Sequence, residues 1–437
     1  MFMEAKVAHN LQMEDLNYDI TTSIRDELKS VPVLSPGRCI YKVPEHIRNV
    51  KEETYRPWMV SIGPIYHQHP SLQAMQKQKL RHLKRFLSQG NKAYDLDYYV
   101  AIIRQYEGDI RRCYAEEISL SSNDFIKMVL LDATFIIDLL MWSTFKFSLE
   151  NHPVDGIIDV FSRVAHDLFL EENQLPFFVL DLLYDLAFGK AYPHISFVDL
   201  TWSFMDCGCM PGKEVQNTKI SDIIRQNAPN IGHFVDFLRV CCLPSELRST
   251  SKIINKYPLF PLSVSELRAV GVKFVVSEST SLLDIKFSRG VLEIPKFNVQ
   301  STTESVFKNI MVFEHCHCFL DSYFVDYIYF ISSLIKTPED VGILVRKGII
   351  ENWIGSNEAV ANIFDKIAEN ISLCSSNFYY DDLCEKLNVH ANASWHRWKA
   401  VLKEDYFGHP WAVISFIYAF VILILTFLQT LSSYKSK

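Results

Sequence analysis

From Pro410 through Tyr434 the chain carries no Asp, Glu, Lys or Arg, and Phe416 to Leu428 is almost wholly Ile, Leu, Phe, Val and Ala. About 20 apolar residues make a helix about 30 Å long, the thickness of a bilayer's hydrocarbon core, whereas buried core helices are usually shorter. The stretch predicts one transmembrane helix over Trp411 to Leu431, anchored by Trp411, Phe416, Leu423, Leu428 and Leu431. Trp411 and Tyr434 suit the two interfaces, where aromatic rings collect. So few residues follow that insertion would be post-translational, as in tail-anchored proteins. The expectation is a single-pass protein with its bulk in the cytosol, at the plasma membrane rather than the endoplasmic reticulum, and with the lipid bilayer as its first partner.

The rest of the 437 residues is globular in composition, with 49% apolar and 22% charged residues, enough to build a sizeable core. A formal charge of −7 supplies no basic field of the kind nucleic-acid binding needs, so no nucleic-acid partner is expected. Ten cysteines lack the spacing of a secreted disulfide framework, and Met3-Glu4-Ala5-Lys6 does not begin a signal peptide. Reduced thiols follow.

Residues 1–36 end in Val31-Pro32-Val33-Leu34-Ser35-Pro36 and read as an arm with one short amphipathic piece, Ile20 to Leu28. Residues 37–405 show helical spacing for most of their length, as in Leu80, Leu83, Leu87 and in Phe125, Val129, Ala133, Ile136, Ile137, Leu140. Three β-branched and aromatic runs, Val272 to Ser277, Leu282 to Phe287 and Val291 to Val299, predict a small antiparallel β meander near 272–299. The fold class is therefore mainly α: a large multi-helix domain with a β insert, then an anchor and short tail over 406–437.

Chemistry finds few footholds. Glu314-His315-Cys316-His317-Cys318 holds zinc-type ligands, but on a helix only His315 and Cys318 share a face. Cys207-Gly208-Cys209 has one intervening residue instead of two, and Cys241-Cys242 sits in an apolar helix, so no metal residue is assigned. Lys77, Lys79, Arg81, His82, Lys84 and Arg85 form a basic helical run, read as a solvated face. Glu171, Glu172, Asn173 and Gln174 interrupt an apolar stretch. They are candidates for a polar site, although Pro176 beside them favours hydrogen bonding to backbone groups freed at a helix start. His67-Gln68-His69 lacks a carboxylate or thiol companion. There is no phosphate loop, nucleophile elbow or His-Glu-x-x-His motif. No catalytic residue and no cofactor are assigned.

An ordered series of motifs resembles the land-plant family called domain of unknown function 247, the UPF0481-type proteins. Cys39-Ile40-Tyr41-Lys42-Val43-Pro44, Tyr55-Arg56-Pro57, Val60-Ser61-Ile62-Gly63-Pro64 and Lys79-Leu80-Arg81 open it. Leu170 through Phe178, Leu283-Asp284-Ile285, Gly290 through Pro295, Asn309 through Glu314, Asp340-Val341, Gly348-Ile349-Ile350, Tyr406-Phe407 and Pro410-Trp411 continue it. Departures stand at Asp132-Ala133-Thr134-Phe135, where Asp-Gly-Cys-Phe is common, and at His67-Gln68-His69, where paired histidines and a glycine are usual. The resemblance implies membrane association and, for some members, roles in plant reproduction including self-incompatibility. It supplies no enzymatic activity and no catalytic residue. The expected function is that of a plant-specific protein-interaction module in recognition or developmental signalling, with an unidentified protein partner; the alternative is an enzyme of undescribed activity at a membrane surface.

Overall fold

The computed structural model describes residues 20–26, 28, 37–145, 157–206, 222–247, 260–279, 281–318, 321–369, 378–393 and 410–435. Most of the arm expected over 1–36 lies outside them. So do Cys207 and Cys209.

Helices α1 (Ala74–Gln89), α2 (Leu96–Arg112) and α3 (Ser122–Phe145) begin the fold. α3 is apolar around most of its circumference, and a helix of that kind is stable only when enclosed. Phe125, Val129, Ala133, Phe135, Ile136 and Leu140 are fully buried along it. The enclosing elements are α1, α2 and, after α4 (Ile157–Leu168), the helices α5 (Phe177–Tyr184) and α6 (Phe197–Asp206). The basic run of α1 is not one solvated face. Lys77, Arg81 and Lys84 are exposed, but Lys79 and His82 are fully buried against Asp132 and Asp138 of α3, and Arg85 reaches Asp138 at 3.2 Å.

A second group follows α7 (Asp222–Asn227): α8 (Phe234–Cys242), α9 (Val264–Ala269), α10 (Thr303–His317), α11 (Tyr323–Leu334), α12 (Pro338–Arg346), α13 (Asn357–Ile367) and α14 (Asp381–Asn392). Asp340 shows how local and distant order meet. It completes a capping box with Thr337 at the start of α12, where Pro338 occupies the first turn, and it accepts from the Ser265 backbone N–H of α9 at 2.7 Å. The buried apolar residues of both groups join in one cluster running from Cys39 to Leu387.

The β segment corrects the antiparallel meander. β2 (Lys286–Ser288) and β3 (Val291–Pro295) are an antiparallel pair turning at Arg289 and Gly290, both at positive φ, as a tight two-residue hairpin demands. β1 (Lys273–Ser277) instead pairs parallel to β3, giving the order β1-β3-β2. The stretch after β1 is anchored elsewhere: Ser281 donates to the Cys242 and Leu243 carbonyls, which carries the chain across before it returns on the far side of β3. β4 (Phe297–Val299) leaves this sheet and pairs parallel with β5 (Ile350–Asn352).

The C-terminal segment is helical, α15 (Pro410–Lys435). The transmembrane helix assigned to it is corrected, because among the described residues no helix is long and apolar enough to cross a membrane. Lack of charge measures composition, whereas a span needs an unbroken apolar helix of bilayer length. Of the expected anchor residues, Leu423 and Leu428 are exposed, while the side chains of Trp411, Phe416 and Leu431 lie outside the description. The tail-anchored reading falls with the span.

Candidate functional site

Between α4 and α5 the chain makes a fully buried turn whose polar side chains reach a second, largely irregular stretch, residues 39–63, here termed the strap, which holds only a one-turn helix at Glu45–Arg48 and a 3-10 turn at Glu52–Thr54. Asp167 accepts backbone N–H bonds from Trp58, Met59 and Val60 at 2.8, 2.7 and 2.9 Å. Asn173 accepts from Ile62 N–H at 2.7 Å and donates to the carbonyls of Val60 and Asp167 at 3.0 and 2.9 Å. Gln174 donates to the Leu168 and Leu170 carbonyls and accepts from Phe234 N–H, so it also fixes the entry to α8. A strap without ladder partners must satisfy its amides some other way, and these side chains do so.

The two glutamates hold the front of the strap. Glu172 accepts from Val43 N–H at 2.8 Å and from the Tyr66 hydroxyl at 2.7 Å, and it pairs with the Arg48 guanidinium. Glu171 accepts from Tyr41 N–H at 3.1 Å, and its own N–H donates to Asn309, whose side chain also ties Thr54 and Ser305. Burial pushes the Glu171 carboxyl well above its ordinary range. His233 lies 3.7 Å from it, but burial drives that imidazole down to about 3 and its Nε2 is bonded to the Cys39 carbonyl at 2.7 Å. With the imidazole held neutral, the contact is no ion pair.

The far end is closed by α3 and α1. Gly63 donates to Asp132 at 2.9 Å, while the Lys79 ammonium bridges Asp132 and the Ser61 carbonyl, at 2.5 Å to each. Gly63 stands at φ +73°, and a Cβ there would come within 2.3 Å of the Gln174 carbonyl oxygen, so both backbone conformation and space require glycine.

Ser305, His166 and Asp167 invite comparison with a nucleophilic triad. His166 Nε2 lies 3.0 Å from Ser305 Oγ and Nδ1 3.2 Å from Asp167. The polarity is wrong for catalysis. Ser305 donates its proton to the Thr54 carbonyl at 2.6 Å and not to the imidazole, so the hydroxyl is not arranged to be deprotonated by His166. Asp167 is engaged by three backbone amides, all three residues are buried, and Trp58 stacks on the imidazole at 3.7 Å. The trio is part of the clamp.

The zinc-type run disperses. His317 Nδ1 meets the Tyr41 hydroxyl at 2.9 Å, burial lifts the Cys316 and Cys318 thiols to about 11, and Glu314 is held by Arg239 and by the Phe324 and Val325 amides. Among the described residues no three His, Cys, Asp or Glu side chains gather as a metal site.

Outside the clamp, a groove of about 400 Å³ opens along the strap. Ile40, Pro64 and Ile65 form one wall and Tyr114, Ile118 and Leu120 the other, with Lys42, His69, Glu116 and Glu117 at its rims. Its walls are tied together: Ala115 N–H donates to the Ile40 carbonyl, and Arg111 holds the Ile118 and Leu120 carbonyls while lying 4.1 Å over Phe125. Lys42 pairs with Glu116 across the groove at 3.2 Å, leaving Glu117 exposed beside it. Neither this groove nor a broader depression of about 880 Å³ beside Arg289 and His390 is lined by Glu171, Glu172, His315 or Cys318. Sequence reading missed the 116–120 wall, whose residues have no periodicity; the sole local signal was Gly63-Pro64 opposite it.

Comparison with known proteins places these observations. The family model DUF247, a plant protein of unknown function, matches residues 40–425. UPF0481 protein At3g47200 of Arabidopsis thaliana is 27% identical over 411 residues, covering 90% of this chain and 85% of that protein. The putative UPF0481 protein At3g02645 of the same plant is 24% identical over 507 residues, covering 95% and 93%. No solved structure matches.

Proposed function

The chain belongs to the plant family of unknown function DUF247, and from the site geometry we propose that it is a non-catalytic protein-binding module whose groove beside the strap receives a segment of a partner protein. One observation carries this reading. The polar residues of the family motifs are turned inward and bonded to backbone, whereas the groove presents half-buried Pro64, Ile65, Ile118 and Leu120 and an exposed acidic rim. The complementary segment is extended, has a small apolar side chain to lie against Ile65 and Ile118, and sets a basic side chain against Glu117.

A photo-crosslinking amino acid at Ser119 inside the groove, compared with one at Glu385 beside the second depression, tests the reading in plant cells. Ser119 is expected to capture a discrete protein, and Glu117→Lys in the same chain to abolish that product. Equal products from both positions, or a product indifferent to Glu117→Lys, would defeat the proposal.

A further inference from the structure

Cys39 and Cys113 stand opposite each other where the strap meets the end of α2. Ile40 and Tyr114 form a parallel bridge, and the N–H groups of Cys39 and Ile40 both donate to the Cys113 carbonyl, at 2.9 and 3.0 Å. The two cysteines are therefore the in-register pair flanking that bridge. Strands in such a ladder lie about 4.8 Å apart, inside the Cα separation of about 4.4–6.8 Å that a disulfide spans. In-register residues of a parallel pair set their side chains on the same face, so the two Cβ atoms converge.

The surroundings make the pair unequal. Cys39 is buried, and its side chain is fixed by Gly232, where an added Cβ would lie 2.8 Å from Cys39 Cβ and 3.1 Å from its sulfur. Cys113 is half-buried, with its thiol 3.4 Å from the Asp109 carbonyl. The contact with Cys39 favours the Cys113 thiolate, and Arg112 adds to this, while partial burial and Asp109 oppose it. The less buried of the two thiols, Cys113, is thus the attacking one, and Cys39 the sheltered resolving one. Cys316 and Cys318, the other half-buried thiols among the described residues, are raised by burial.

We propose that Cys39 and Cys113 are a reversible thiol–disulfide pair, oxidised by a low-molecular-weight disulfide, which staples the strap to α2. The Cys113 thiolate attacks one sulfur of glutathione disulfide and releases one glutathione thiolate. Cys39 then attacks the Cys113 sulfur of the mixed disulfide, losing its proton to solvent and expelling the second glutathione. One disulfide is reduced, one is formed, and two electrons pass from the cysteines to glutathione. Closing a loop of roughly 75 residues should stabilise the folded chain most where the strap is otherwise free to detach.

The test equilibrates the full-length chain, in mild detergent to disperse the exposed apolar face of α15, with glutathione buffers of graded ratio. Acid quenching, alkylation and peptide mass spectrometry then map the thiols. The expected product is a peptide pair linked through Cys39 and Cys113, reversible by excess reduced glutathione, with a melting temperature raised by at least about 4 °C. The variant Cys113→Ser, at the half-buried member of the pair, should fold normally and lose both the link and the shift. Cys113 remaining as a glutathione mixed disulfide, linking to Cys316 or Cys318, or staying reduced in excess glutathione disulfide would each overturn the assignment.

Discussion

Replacing Asn173 by Ala would test the clamp at its centre. The side chain is fully buried and makes three bonds to backbone: Ile62 N–H at 2.7 Å, Val60 carbonyl at 3.0 Å and Asp167 carbonyl at 2.9 Å. A buried backbone group left without a partner costs about 1–3 kcal/mol. Val60 and Asp167 carbonyls retain a second lone pair for whatever water reaches the cavity, so the lower half of that range suits them, while the orphaned Ile62 amide takes the upper half. The sum is about 4–7 kcal/mol, a substantial part of the roughly 5–15 kcal/mol that holds a domain together. Urea unfolding followed by tryptophan fluorescence measures it, because Trp58 is carried on the strap. The midpoint should fall strongly with the transition slope unchanged. A loss below about 1 kcal/mol would refute the reasoning, since it would mean the strap amides find equivalent partners without Asn173.

Two further perturbations follow from the same interior. Lys79→Met leaves Asp132 buried without its cation and should cost about 3–5 kcal/mol, whereas adding Asp132→Leu should recover a good part of that; denaturant unfolding of the single and double variants decides, and strictly additive losses would contradict a paired site. Glu171 is raised above its ordinary value of 4.5, so its contribution to stability is complete below about pH 4.5 and declines as pH rises toward its folded-state value. Glu171→Gln should abolish that decline and melt higher than wild type at pH 8 but not at pH 4, with His233 neutral at both; identical pH profiles of melting temperature would show that Glu171 is ionised in the fold.

What could be read from sequence was what repeats locally. The spacing of Phe125, Val129, Ala133, Ile136 and Leu140 marks α3, and Pro176 marks the start of α5, because both signals lie within one or two turns of helix. The polar insertion at Glu171 to Gln174 stands out against apolar neighbours, but its partners at Tyr41, Val43 and Ile62 are more than a hundred positions away, where no local period reports them. The same distance hid the burial of Lys79 and His82, whose aspartates sit on a different helix. The parallel pairing of β1 escaped for a related reason: strand propensity is local, while register is set by where Ser281 carries the chain. At the C-terminus, absence of charge was legible and an unbroken described apolar helix of bilayer length was not thereby given.

The central claim is that the family motifs form a clamp holding an irregular segment as firmly as a core helix. Peptide-level hydrogen–deuterium exchange on the full-length chain addresses it directly. Residues 57–63 lack helix and sheet, yet the amides of Trp58, Met59, Val60, Ile62 and Gly63 all donate to side chains of Asp167, Asn173 or Asp132. They should exchange as slowly as the amides of α3 and be released together with them as denaturant is added. Complete exchange of this peptide within seconds, while α3 stays protected, would contradict the clamp.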